Sequence, residues 1–176
     1  MIFDKLFRPD FMFLHFYDVT ADFCRENGIS ALICDIDNTL VTYDDPEPTE
    51  NVLSWLSSLE KAGVSAAFVS NNNAERVEKF NSRLGFPAYS KSGKPKTDYI
   101  LKAISDLGVE KTEAVCLGDQ LFTDCCGAKR AGVRMILVPP IKDKKTPFFK
   151  AKRSLELPFM KRYLKDAGIE RTTWGI

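Results

Sequence analysis

Short apolar runs alternate with amphipathic stretches along most of the chain, and each change of period marks a change of element. Ile29 to Asp35, Val64 to Ser70, Ala114 to Leu117 and Arg134 to Val138 read as strands. Between them the spacing is helical. Thr20 to Asn27 predicts a short helix ended by Gly28, and Thr49 to Ala62 a longer one, with Val52, Leu53, Leu56 and Leu59 on one face, Thr49 as N-cap and Gly63 as stop. Asn73 to Leu84 closes at Gly85. Thr97 to Leu107 closes at Gly108, with Ile100, Leu101, Ile104 and Leu107 facing inward. This alternation predicts an α/β fold: a Rossmann-like parallel sheet with helices on both faces, in three layers. The apolar stripes themselves are core packing.

Polar residues gather where the strands should stop. The first strand runs into Cys34-Asp35-Ile36-Asp37-Asn38-Thr39-Leu40, two carboxylates two residues apart. In an extended chain such residues point to the same side, so Asp35 and Asp37 crowd together unless a cation or a shared proton relieves them. A cation is the better reading. Paired acids also suit a division of labour, one ionised oxygen attacking while the other, its pKa raised by neighbouring charge, moves a proton. Ala114 to Leu117 likewise runs into Gly118-Asp119-Gln120-Leu121-Phe122-Thr123-Asp124, and the second strand into Ser70-Asn71-Asn72-Asn73. Lys94 follows in Ser92-Gly93-Lys94-Pro95. Open parallel sheets bind ligands at the carboxyl ends of their strands, which would bring these segments to one spot. Such a set fits Mg²⁺ and a phosphoryl group.

In that order and spacing, DxDNTL, SNNN, KP and GDxxxxD resemble the haloacid dehalogenase superfamily of phosphotransfer enzymes. The SNNN and GDQLFTD wording, with Ala128, Ala131, Gly132 and Ile136 to Pro140 after it, is similar to the capless subfamily III branch of YqeG type, which includes phosphatidylglycerophosphate phosphatases. The similarity runs from Asp18 to Pro140. It implies that Asp35 is the nucleophile, forming an aspartyl-phosphate, and that Asp37 is the general acid and base. The superfamily's ion-pump ATPases carry threonine at the position of Asp37 and its dehalogenases no acid there, so Asp37 implies hydrolysis. Mg²⁺ would be held by Asp35, the backbone carbonyl of Asp37 and Asp119, with Asp124 assisting directly or through water. Ser70, the backbone N–H of Asn71 and Lys94 would bind the phosphoryl group. Lys96 competes with Lys94 for that role, but Lys94 precedes Pro95 as the family pattern requires. Asn38 and Thr39 would shape the turn.

A chain of 176 residues, 44% of them apolar, fits one domain spanning 1–176. No run approaches the ~18 apolar residues of a membrane span, and Asp4, Arg8 and Asp10 break the N-terminus before any signal-peptide core forms. A cytoplasmic location follows. Five cysteines without a C-x-x-C pair suggest reduced thiols, Cys34 and Cys116 in strands and Cys125 and Cys126 in helix packing. There is no room for a cap domain. Only Thr42 to Pro48 separates the DxDNTL turn from the next helix, so an open site and a bulky substrate are expected.

Two terminal segments carry the recognition readings. An N-terminal arm, 1–17, holds Phe3, Phe7, Phe11, Phe13, Phe16 and Tyr17 and the single histidine, His15. It either dips into a membrane interface or packs on the core. Within a basic C-terminal extension, 142–176, residues 142–165 hold nine Lys or Arg against Asp143 and Glu156, a net of +7 that leaves 1 − 7 = −6 for the rest. That charge suits an anionic bilayer surface or nucleic acid, or is a solvated tail. The leading substrate is phosphatidylglycerophosphate, presented by the bilayer. The alternatives are nucleotides, sugar phosphates or nucleic-acid ends, and, in another class, a phosphate-sensing binding module acting through the basic tail.

Overall fold

The computed structural model describes residues 2–142, 147–170 and 174. Elements run α1 (Ile2–Phe7), β1 (Phe11–Met12), a 3₁₀ turn (Phe16–Asp18), α2 (Ala21–Glu26), β2 (Ala31–Cys34), α3 (Glu50–Lys61), β3 (Ser65–Val69), α4 (Ala74–Asn81), β4 (Ala88–Tyr89) and α5 (Asp98–Leu107). They continue with β5 (Ala114–Gly118), a π-turn (Leu121–Cys125), α6 (Cys126–Ala131), β6 (Arg134–Leu137) and α7 (Pro147–Asp166). All strand pairs are parallel, in the order β1-β6-β5-β2-β3-β4. Central β2 pairs Cys34 with Phe68 of β3 on one side and with Leu117 of β5 on the other. The chain leaves β2 toward β3 and later returns to β5, so the direction of winding reverses beside β2. A crevice opens at such a reversal.

Alternation along the strands divides the core into two layers, because successive side chains leave opposite faces of a sheet. Leu32, Cys34, Ala66, Phe68, Val115 and Leu117 pack with Trp55, Leu59 and Phe80 from α3 and α4. Ile33, Ala67, Val69 and Cys116 pack with Ile100 and Ile104 of α5, Ala128 of α6 and Leu164 of α7. Fully burying a side chain such as Phe68 or Leu32 contributes roughly 1.5–3 kcal/mol. All five thiols are buried and unpaired, and burial pushes Cys24 up to about 11 and Cys116 up to about 12.

Four strands and the helices α2 to α5 agree with the sequence pattern, and Thr20, Thr49 and Asn73 cap their helices by accepting from the backbone N–H three residues on. Edge strands β1 and β4 are too short to leave a period in the sequence. The two ends also differ from the simplest reading. Phe7 stacks edge-on with Phe122 and Phe159, Phe11 and Phe13 with Phe23, and Phe16 with Trp55, so these rings are used in packing the arm onto the body. Much of the basic extension is helix α7, which buries Glu156, Tyr163 and Leu164. Residues 143–146, 171–173, 175 and 176 of that extension lie outside the described residues.

Candidate active site

The Asp35-to-Val41 turn is built by its apolar residues. Ile36, Leu40 and Val41 are buried, and Leu40 and Val41 both donate backbone N–H to Ile36 O, at 3.0 and 3.2 Å. The turn closes through Asn38, whose N–H reaches Val41 O at 2.7 Å and whose φ is 68°, a left-handed conformation that asparagine tolerates. Asp35 remains registered to the sheet, its N–H donating to Leu117 O at 2.8 Å. Asp37 lies beyond the strand in this turn. The crowding expected of the two acids is relieved by separate cations.

Asp35 takes the first. Lys94 Nζ donates to Asp35 Oδ1 at 2.6 Å and stands 2.8 Å from Asp124 Oδ1. Lys94 is buried, while Lys96 is exposed. The Lys94 loop is held by the side chain of Asn71, whose Oδ1 accepts from Lys94 N (2.7 Å) and Ser92 Oγ (2.9 Å) and whose Nδ2 donates to Lys94 O (3.1 Å). Asn71 therefore does structural work through its amide, and the phosphoryl contact expected of it rests on its backbone N–H. Ser70, at the end of β3, is buried, with its Oγ accepting from Asn72 N at 3.1 Å.

Asp37 takes the second cation. Arg76 Nε donates to Asp37 Oδ1 at 3.0 Å and Nη2 lies 2.9 Å from the same oxygen, while Asn72 Nδ2 donates to Oδ2 at 2.9 Å. Sequence reasoning missed Arg76 and Asn72. Asn72 stands inside the SNNN motif, but Arg76 reads as an ordinary charge in the first turn of an amphipathic helix. Tyr43 is a further omission: burial, then the charges of Asp119, Asp35, Asp37 and Asp124, push its phenol above its ordinary range.

β5 delivers the remaining carboxylates. Asp119 follows Gly118 at the strand end, and Thr39 Oγ1 reaches its Oδ1 at 3.5 Å. The π-turn then returns Asp124 toward Asp35, with Asp124 Oδ2 accepting from Gln120 N at 3.1 Å. Glu156 of α7, 2% exposed, supports this turn by accepting from Phe122 N at 3.1 Å. Its role was invisible in a segment read for its positive charge.

Carboxylate oxygens of Asp35, Asp119 and Asp124 all lie within 4.8 Å of one another, and all three residues are buried. Three buried carboxylates share this spot with the Lys94 ammonium. Burial first, then the charges of Asp124 and Asp119, push Asp35 up to about 8 against the opposing pull of Lys94. Burial pulls Lys94 down, but the carboxylates of Asp124 and Asp35 outweigh it and hold the ammonium above its ordinary range. A compact, buried, all-oxygen set of carboxylates fits a hard divalent cation such as Mg²⁺. The Asp37 carboxylate lies outside this group, so any bond from that residue to a metal would come from its backbone carbonyl.

Beside the turn, a cleft of about 440 Å³ opens between it and the N-terminal arm, bordered by Tyr17, Thr39, Thr42, Asp45, Pro140 and Ile141. Tyr17 and Ile141 are large hydrophobic side chains left 44% and 49% exposed at its edge.

The family model of haloacid dehalogenase-like hydrolases matches residues 20–138, from the cap of α2 to just past β6. The chain belongs to this family. Within it, the hydrolase is 35% identical over 137 residues to the probable phosphatase YqeG of Bacillus subtilis (strain 168), across 78% of this chain and 80% of that protein. Family and relative together make it an enzyme of the phosphatase type. Its fold is similar to that of an uncharacterized protein from Listeria monocytogenes serotype 4b, with TM-score 0.52 and 21% identity over 76% of this chain and 99% of that one. A cobalt-bound deoxy-D-mannose-octulosonate 8-phosphate phosphatase from Haemophilus influenzae matches with TM-score 0.50 and 14% identity over 78% and 87%.

Proposed function

We propose that the hydrolase, folding as one domain without a cap, is an Mg²⁺-dependent phosphomonoester phosphatase with Asp35 as nucleophile and phosphatidylglycerophosphate as substrate. The observation that carries the reaction class is the convergence of Asp35, Asp119 and Asp124 on one buried spot beside Lys94. Asp35, Asp119, Asp124 and the Asp37 carbonyl would hold the ion, which when bound offsets the charge of the acids and of the phosphoryl oxygens.

The chain's own groups divide the rest. An Asp35 oxygen attacks phosphorus as the ester P–O bond breaks, and the Asp37 carboxyl gives its proton to the departing oxygen. Asp37 then takes a proton from water as the water oxygen bonds to phosphorus and the Asp35–phosphorus bond breaks, which returns both acids to their starting state. Lys94, Ser70 and the Asn71 N–H bind the phosphoryl oxygens, in a reaction governed chiefly by positioning and charge.

A lipid head group is favoured by what borders the site. The cleft beside the turn has an apolar rim at Tyr17 and Ile141, and Lys161, Arg162 and Lys165 of α7 are exposed. Among the described residues no helix is long and apolar enough to cross a membrane. A cytoplasmic enzyme held at an anionic bilayer by its basic helix fits both facts, and buried, unpaired thiols suit that compartment.

The test is hydrolysis of an aryl phosphate with Mg²⁺ and after chelation, in the unsubstituted chain and in Asp35→Asn. Turnover that requires both the ion and Asp35 is expected; turnover that survives Asp35→Asn removes the nucleophile, and its complete absence favours a phosphate-binding module. A phosphate-release panel then compares phosphatidylglycerophosphate in mixed micelles with nucleotides and sugar phosphates. Preference for the soluble compounds ends the lipid assignment.

A further inference from the structure

The side chain of Arg76 is 13% exposed and spends its donors on two separate parts of the site. Nε and Nη2 meet Asp37 Oδ1, at 3.0 and 2.9 Å. Nη1 donates to Pro46 O at 2.8 Å and Nη2 to Thr42 O at 3.4 Å, two carbonyls of the short Thr42-to-Pro48 stretch that takes the place of a cap. The backbone of Arg76 is fixed at the start of α4, where Asn73 Oδ1 accepts from Arg76 N at 2.9 Å. We propose that Arg76 is a positioning residue for proton transfer, locking Asp37 and the Thr42–Pro46 segment into one arrangement.

The geometry favours this over a simple surface ion pair. A planar fork with five N–H donors can hold a carboxylate and two carbonyls at once, whereas an ammonium is a point charge that cannot span them. With Oδ1 occupied by Arg76 and Oδ2 by one amide N–H from Asn72, Oδ2 carries fewer protein contacts and is the oxygen from which a proton would reach the leaving group. Thr42 is tied in turn to Asp45, whose Oδ2 accepts from Thr42 N (3.1 Å) and Oγ1 (2.7 Å). Movement of the segment over the site is thereby coupled to the placement of the acid.

This inference rests on the phosphatase reading above, and the experiment separates the two. Hydrolysis of phenyl phosphate, whose leaving oxygen needs a proton, is compared with that of dinitrophenyl phosphate, whose leaving oxygen departs without one. In Arg76→Gln, kcat/KM, which reports only the steps up to phosphoryl transfer onto Asp35, should fall about 100-fold for phenyl phosphate, the scale of general acid catalysis, with little change for dinitrophenyl phosphate. Arg76→Lys should show the same selectivity with a smaller loss, and it carries the comparison if Arg76→Gln does not fold. Equal losses of kcat/KM on both substrates, or none on either, overturn the positioning role while leaving the phosphatase intact. Failure of the unsubstituted chain to turn over either compound, or turnover surviving Asp35→Asn, removes the reading underneath and the inference with it.

Discussion

Gly118 makes room for Asp124: a β-carbon at position 118 would stand 2.5 Å from Asp124 Cβ and 2.6 Å from its Cγ, closer than folded chains allow. The glycine is required by this approach and not by its backbone angles. Gly118→Ala should therefore push Asp124 off the acid cluster, at a stability cost of about 1–3 kcal/mol for the crowding. Divalent-cation affinity, measured by calorimetry on folded protein, should fall at least about tenfold, equivalent to one lost favourable contact of ~1.4 kcal/mol. Unchanged affinity would mean that Asp124 does not serve the ion.

The protonation of Asp35 gives a signed pH dependence. Its folded value of about 8 lies above its ordinary 3.8, so between the two the folded chain keeps a proton that the unfolded chain has released. Without a divalent cation, stability should accordingly decline as pH rises through that window. Cation binding needs the ionised carboxylate, so affinity should climb toward pH 8 and binding at about pH 7 should release a proton. Titrations in buffers of different ionisation enthalpy measure that proton. Heats independent of the buffer would place Asp35 outside the ion's ligands.

Glu156 links the basic helix to the loop that carries Asp124, by accepting from Phe122 N. Removing a charged acceptor from this part-buried donor costs about 1.5–3 kcal/mol, which for a chain of this size lowers Tm by about 3–12 °C. Glu156→Ala should show that drop and also weaken cation binding, because the π-turn it supports carries Asp124. Glu156→Gln should lie between the two. A melting temperature unmoved in Glu156→Ala would show that the turn holds without α7.

Motifs made of neighbours in the chain were legible before any coordinates. Asp35, Ser70, Lys94 and Asp119 each stand at or just after a recognisable strand or in a marked loop, and parallel sheets deliver strand ends to one edge. Lys94 is buried and Lys96 exposed, a difference that two neighbouring lysines do not show in the sequence. Two-residue edge strands were not legible, nor was the packing of Phe7, Phe11, Phe13 and Phe16 against the body, since a short aromatic-rich stretch has the same pattern whether it meets lipid or core.

The sequence alone determined the alternating elements, the parallel sheet and the list of acids, because hydrophobic period and strand-end chemistry are local properties of the chain. Tertiary structure decided the pairings: Lys94 with Asp35 and Asp124, Arg76 with Asp37, Glu156 with the π-turn, Asn71 with the Lys94 loop. Those partners are separated by as many as 59 residues, between Asp35 and Lys94. Whether a given charge meets solvent or a buried opposite charge depends on where packing carries it, and no local period records that.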